Sequence, residues 1–193
     1  MIAALYVQTG GMYYGLPNVD PWDETRDARL YDGPWPVVAH PPCARWSIMG
    51  ACRGYRDGED AGCFEAALQA VRTFGGVLEH PRYSLAWSRF GLPAPSFRGW
   101  SQSLDDPGWT TEIDQHAYGL RFRKPTWLYY VGDDPPEMIW KRAGRASTVA
   151  SNGRDHLSIH NHHGWGNGQR STTPPAFRDA LIEMAETAGR VAA

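Results

Sequence analysis

The chain has 193 residues, enough for one well-buried domain but too few for two of ordinary size. Its 19 Lys and Arg against 21 Asp and Glu give a net charge of −2, which excludes a protein that gathers nucleic acid through a strong overall positive field. Residues 1–120 carry nine Arg and fourteen Asp or Glu, whereas residues 121–193 carry ten Lys or Arg and seven Asp or Glu. A polyanionic partner is therefore expected on the second part.

The cysteine content and the chain start indicate where the protein works. Cys43, Cys52 and Cys63 are odd in number and irregularly spaced, which argues against a disulfide framework and predicts a reducing, cytoplasmic setting. The first residues lack the basic segment of a signal peptide, and no apolar run approaches the roughly 18 residues of a membrane span. We expect a cytoplasmic protein with no membrane partner; the oligomeric state is left open.

Hydrophobic patterns predict alternating strands and helices in a single domain. Apolar positions at helical spacing predict one helix over 61–74 and another over 174–187, with a shorter one near 82–89. Short apolar runs predict strands at 2–7, 37–39, 77–81, 110–114 and 126–131, the last two as a hairpin. The segments 13–35, 45–62, 90–108 and 133–172 read as mostly loop. The expected fold is α/β with a mostly parallel sheet.

Two polar side chains follow neighbouring predicted strands. Cys43 comes after the strand 37–39 and two prolines that cannot continue a ladder, and Glu79 ends the strand after the helix 61–74. A strand–helix–strand crossover brings both to one edge of the sheet, where ligands bind in open α/β folds. A thiol there can act as a nucleophile; the alternatives are a small buried hydrophobe for Cys43 and a strand-end cap for Glu79.

Three separated motifs carry a resemblance to a known family. Pro41-Pro42-Cys43, Glu79-His80-Pro81 and the stretch 114–126, with Tyr118-Gly119 and Arg121-Phe122-Arg123, occur in the order found in cytosine-C5 DNA methyltransferases. The chain resembles most closely the short methyltransferase-like proteins of bacteriophages. The resemblance implies a trimmed Rossmann-like methyltransferase core acting on cytosine C5 in DNA, in the host cytoplasm if a phage encodes it.

The resemblance assigns catalytic roles by motif position. Cys43 would add to C6 of the pyrimidine, and Glu79 would stabilise the charge that develops at N3. Arg121 or Arg123 would contact O2 of the base or the surroundings of the thiol. The alternative for both arginines is a solvated hairpin turn.

The cofactor implied by the resemblance is S-adenosylmethionine, with methyl or another one-carbon transfer as the reaction. Its binding residues would come from the turn after the first strand, from an acid that holds the ribose and from the proline motif: Gln8, Thr9, Gly10, Gly11, Asp20 or Asp23, and Pro41. Gln8 stands where the family motif has its first glycine, and His80 stands where the family has asparagine.

DNA is the expected partner, and a base in a duplex must be flipped out for this chemistry. The candidate contacts are two groups, Arg45, Trp46 and Ser47 after the cysteine, and the basic positions Lys141, Arg142, Arg145 and Arg170. Trp46, Trp87 and Trp100 are candidates for base stacking or, alternatively, core anchors. The histidines of 156–163 and the cysteines match no common metal spacing, so no metal site is predicted.

Two other functions remain open. The chain could be a catalytically inactive relative that binds DNA or a host protein, for example to block restriction. It could instead modify free pyrimidine nucleotides, since no segment is large enough for a separate target-recognition domain.

Overall fold

The computed structural model describes residues 1–47, 60–141 and 173–189. Within these ranges there are seven strands: β1 (Ile2–Leu5), β2 (Val19–Trp22), β3 (Val37–Ala39), β4 (Gly76–Pro81), β5 (Ser101–Gln102), β6 (Trp109–Asp114) and β7 (Pro125–Val131). The same ranges contain three α-helices, α1 (Cys63–Phe74), α2 (Leu85–Arg89) and α3 (Pro175–Gly189), with short 3-10 turns at Ala28–Leu30, Ala44–Trp46 and Gln115–Tyr118. All seven strands join one sheet, in the order β2-β1-β3-β4-β7-β6-β5.

The sheet is mixed, and the predicted mostly parallel, Rossmann-like methyltransferase core is wrong. The pairs β1–β2, β1–β3 and β3–β4 are parallel, whereas β4–β7, β7–β6 and β6–β5 are antiparallel. The antiparallel ladders contain more of the paired residues. The reason is the hairpin of β6 and β7, which the sequence predicts: a short connection can only join antiparallel strands, and β7 of this hairpin pairs directly with β4.

The helices cover both faces of the sheet. The cluster on one face combines Leu5, Val37 and Leu78 of the sheet with the buried side of α1 and with Trp87 of α2. On the other face, α3 buries Phe177, Leu181, Met184 and Ala185, which lie at helical spacing within the helix predicted over 174–187. Burying a large apolar side chain contributes about 1.5–3 kcal/mol, so these two clusters fix the sheet between the helices.

Helix α1 links β3 to β4 and sets the edge where the predicted site lies. Phe64, Leu68 and Val71 are buried at the predicted helical spacing. The helix is anchored by Asp60, whose Oδ2 accepts from the Phe64 amide at 2.8 Å and from Trp46 Nε1 at 2.8 Å. This carboxylate therefore ties the start of α1 to the turn that follows Cys43.

Strand β2 lies in a region predicted to be mostly loop. Pro21 has no amide hydrogen, which argues against a strand interior, but β2 is at the edge of the sheet and needs partners on one side only. The short strand β5, also unpredicted, forms the opposite edge. In the described part of the chain, no helix is both long and apolar enough to cross a membrane.

Candidate functional site

Cys43 and Glu79 come to the same edge of the sheet, as the crossover predicts. β3 and β4 are parallel neighbours, with Ala39 paired to Leu78, so Glu79 lies one residue further along β4 and faces the segment after β3. Cys43 is exposed and immediately precedes the turn Ala44–Trp46, whereas Glu79 is buried. The two candidate catalytic groups are close enough for the Glu79 charge to act on the thiol.

Glu79 is held by a chain of hydrogen bonds that extends to both sides. Its Oε2 lies 3.1 Å from Nδ1 of His40, and its Oε1 accepts from Nε2 of Gln115 at 3.1 Å. On the far side of His40, Nε2 lies 2.8 Å from the Tyr13 hydroxyl. Gln115 also donates to Oγ1 of Thr126 at 3.0 Å. We call Tyr13, His40, Glu79, Gln115 and Thr126 the Glu79 network.

Sequence reasoning missed most of this network. The sequence alone assigns no role to His40, Tyr13 or Gln115. A signal was present for two of them, because His40 and Gln115 directly follow the strands β3 and β6. Polar residues just beyond strand ends are frequent components of sites, as argued above for Cys43.

The carboxyl of Glu79 is ionised at neutral pH. Burial alone would raise its pKa, but the hydrogen bond from His40 and the positive charge of Lys124 outweigh burial and lower the pKa to about 2. The group is therefore a hydrogen-bond acceptor in the absence of a ligand.

The thiol of Cys43 is protonated at neutral pH. Loss of solvent around the sulfur raises its pKa, the Glu79 charge raises it further, and the Lys124 charge opposes both. A nucleophilic role for Cys43 thus requires a bound group that takes its proton or neutralises Glu79.

The two arginines assigned from the family motif make no described bond to Cys43 or Glu79. Arg121 is exposed, and Nε of Arg123 pairs with the buried carboxylate of Asp114 at 3.1 Å. The cation whose charge reaches both Cys43 and Glu79 is Lys124, which sequence reasoning did not select. The roles of Arg121 and Arg123 on a substrate remain predictions.

The predicted cofactor turn, residues 8–11, is closed by a backbone hydrogen bond. The amide of Gly11 donates to the Gln8 carbonyl at 2.8 Å, and Gly10 has a φ of +65°. Pro41, in the segment that follows β3, is buried. Asp20 lies within β2 and pairs with Arg26 on the exposed side, so the acid that faces the turn is Asp23, directly after β2.

Asp23 has no free acceptor site for a ribose. Its Oδ2 accepts from Thr9 and Tyr14 at 2.7 and 2.6 Å, and its Oδ1 accepts from the hydroxyl and amide of Thr25 at 2.7 and 2.9 Å. A carboxylate has about four acceptor sites, and all are filled by this chain. These bonds hold the pKa of Asp23 well below its usual range. In this arrangement the residues do not fit the ribose of S-adenosylmethionine.

The predicted DNA contacts are only partly described. Trp46 is buried, with its indole nitrogen bonded to Asp60, and is an anchor rather than a stacking surface. Arg45 and Ser47 are half-buried beside Cys43, and Lys141 is exposed. Trp87 is buried, and Trp100 donates to the Pro136 carbonyl at 2.8 Å. Arg142, Arg145 and Arg170 lie outside the described residues.

The chain matches no protein-family model, no curated protein and no solved structure. The resemblance to cytosine-C5 DNA methyltransferases therefore depends on the three motifs alone. Among the described residues, no group of three or more His, Cys, Asp or Glu is arranged to hold a metal ion. Cys52 and the histidines of 156–163 lie outside these residues.

His80 makes the loop that carries Cys43 sensitive to acid. Its ring is buried against Phe64 at 5.1 Å between centroids, and neither ring nitrogen makes a hydrogen bond. Burial lowers the pKa of His80 to about 4, although the charge of Glu79 and the carbonyls of Pro41 and Pro42 favour the protonated form. His80 is therefore neutral in the folded protein at pH 7.

Lowering the pH from 6.5 to 4 is expected to destabilise the protein by on the order of 3 kcal/mol through His80. The folded-state pKa of about 4 lies below the unfolded value of 6.5, so the unfolded chain takes up the proton first. The stabilisation is complete above pH 6.5 and is lost towards pH 4. Urea unfolding across this range measures it, with His80→Phe as the variant that fills the space without titrating. An equal pH slope in both proteins would contradict the assignment to His80.

Proposed function

We propose that this chain modifies pyrimidines at C5 in DNA, with Cys43 as the covalent nucleophile and Glu79 as the group that binds the N3 edge of the base. The observation that carries the proposal is the meeting of Cys43 and a buried, hydrogen-bonded Glu79 at one edge of the sheet, after neighbouring parallel strands. Carboxylates held in this way at a strand edge beside a thiol are the arrangement that covalent activation of a pyrimidine requires.

The chemistry follows from the two groups. The Cys43 thiol gives its proton to solvent water and its sulfur forms a bond to C6, while the electron pair of the C5–C6 double bond moves towards N3. Negative charge then develops at N3 and the carbonyl oxygen, and it is neutralised by a proton that Glu79, ionised before the base binds, takes up and passes to N3. C5 becomes nucleophilic and attacks an electrophile, whose leaving group departs. Loss of the C5 proton to solvent, return of the N3 proton to Glu79 and departure of the Cys43 thiolate from C6 then restore the aromatic ring. Because the acceptor sites of Asp23 are already filled, this residue does not fit the ribose of S-adenosylmethionine. The molecule that donates the electrophile is therefore identified by the mass of the group transferred.

The proposal is tested by nucleoside mass spectrometry on DNA from cells that express the chain and from cells that do not. A new pyrimidine species is expected only with the chain, and its mass difference from the parent base identifies the transferred group. Incubating the purified protein with duplex DNA or with mononucleotides separates a DNA-directed enzyme from one that acts on free nucleotides. Absence of any new species, with DNA still bound, would overturn the enzymatic proposal.

A second candidate is a binding protein without catalysis, directed at DNA or a host protein. The raised pKa of Cys43 and the filled acceptor sites of Asp23 favour it, because both groups would be inert in this arrangement. It predicts DNA or protein binding that is unchanged when Cys43 is replaced by alanine.

A further inference from the structure

The hydrogen bonds of the Glu79 network show which groups donate and which accept. The Thr126 hydroxyl donates to the Lys124 carbonyl at 3.1 Å, so its oxygen must accept from Nε2 of Gln115. This fixes the orientation of the Gln115 amide, and its second N–H points to Oε1 of Glu79. In this arrangement Oε1 is an acceptor, and a carboxyl proton would reside on Oε2.

The partner of Oε2 is His40, which can hold or release a proton without losing a bond. Its Nδ1 lies 3.1 Å from Oε2, and its Nε2 lies 2.8 Å from the hydroxyl of Tyr13. A hydroxyl can donate to a bare ring nitrogen or accept from a protonated one, so Tyr13 satisfies Nε2 in either state. Burial raises the pKa of Tyr13, which keeps the phenol neutral.

We propose that Tyr13, His40 and Glu79 form a proton relay, in which His40 supplies Oε2 of Glu79 with the proton that a bound base takes up. The proposal rests on the proposed function and adds two residues to its site, His40 as proton donor and Tyr13 as a positioning residue. The Nδ1–H bond of an imidazolium breaks, its electron pair stays on nitrogen, and an O–H bond forms at Oε2. That proton then passes to N3, and His40, whose side chain is 15% exposed, regains one from water.

The charged and titratable groups around the relay are few among the described residues. Lys124 and His80 act on Glu79, and Arg178 and Asp179 of α3 act on Tyr13. Cys43 responds to the charge of Glu79, which makes its reactivity a probe of the relay that needs no substrate.

The test is a pH titration of the whole ¹⁵N-labelled chain by histidine side-chain NMR, with His40→Gln used to assign the His40 signals. Neutral His40 is expected to carry its proton on Nδ1, because Oε2 accepts there. Glu79→Gln removes the carboxylate that faces Nδ1 and should change the Nδ1 signal of His40. Tyr13→Phe removes the hydroxyl partner of Nε2 and should change the Nε2 signal, whereas Tyr14→Phe, whose hydroxyl binds Asp23, is the matched control and should change neither.

Alkylation of Cys43 by iodoacetamide, followed at the peptide level, supplies the second readout. His40→Gln should change the rate by about threefold, because His40 bonds to Glu79 and the charge of Glu79 acts on the thiol. An Nε2–H tautomer for neutral His40, or an alkylation rate that is the same in wild type and His40→Gln, would overturn the relay. Both readouts are independent of turnover, so a lack of modified DNA with the expected NMR and alkylation results would count against the proposed function alone.

Discussion

Replacing Cys43 with alanine is expected to lower the formation of modified pyrimidine by at least about 1000-fold while the fold is retained. Cys43 is an exposed residue whose thiol bonds to its own backbone, so its loss removes the nucleophile without leaving a partner on another residue unsatisfied. Nucleoside mass spectrometry measures product, and the thermal unfolding midpoint checks the fold.

Cys63→Ala is the matched control for this experiment. Cys63 is the first residue of α1, it is half-buried, and its thiol is also unpaired. The control variant should retain product formation. Equal product from wild type and Cys43→Ala would show that no covalent adduct forms through Cys43, and the binding-protein candidate would then replace the enzymatic one.

Gly76→Ala is expected to destabilise the protein by about 4 kcal/mol or more, enough to prevent folding of a domain of ordinary stability. Gly76 has a φ of +111°, and a Cβ there would lie 2.0 Å from the Val37 carbonyl oxygen and 2.6 Å from the Val37 nitrogen. Both obstacles are backbone atoms of the paired strand β3, so neither can move without breaking the β3–β4 ladder.

Gly91→Ala is the control that measures the cost of a positive φ without a steric clash. Gly91 has a φ of +65°, and a Cβ there would meet nothing within 4 Å. It should cost only about 1–2 kcal/mol, the usual penalty for a left-handed backbone. Urea unfolding of the two variants, or their soluble yield if Gly76→Ala does not fold, measures the difference. Similar losses for both would contradict a close approach of β3 to Gly76.

Gly76 lies at a helix end, which the sequence predicts, and against a distant strand, which the sequence does not predict. The pair Gly75-Gly76 is the local signal that ends the helix predicted over 61–74, and α1 does end at Phe74. The amide of Gly75 donates to the Val71 carbonyl at 3.0 Å, a helix-end bond between near neighbours. The constraint on Gly76 comes instead from a strand 39 residues earlier in the chain, which no local pattern reveals.

The acid near the predicted cofactor turn illustrates a second limit. The sequence offers Asp20 or Asp23 as this acid, because it predicts no strand at 19–22 and places neither residue at a strand end. Once β2 is known to end at Trp22, Asp23 follows as the residue at the sheet edge. Its engagement by Thr9, Tyr14 and Thr25 depends on how two loops fold together, which composition does not show.

The sequence alone determined the elements whose evidence is local. Periodic apolar residues located α1 and α3, short apolar runs located β1, β3, β4, β6 and β7, and the crossover placed Cys43 and Glu79 on one edge. Only the tertiary structure decided the mixed sheet, in which the hairpin pairs with β4, and the bonds of Glu79 to His40 and Gln115. Those bonds join residues 39 and 36 positions apart, and such pairs meet only when the whole sheet is assembled.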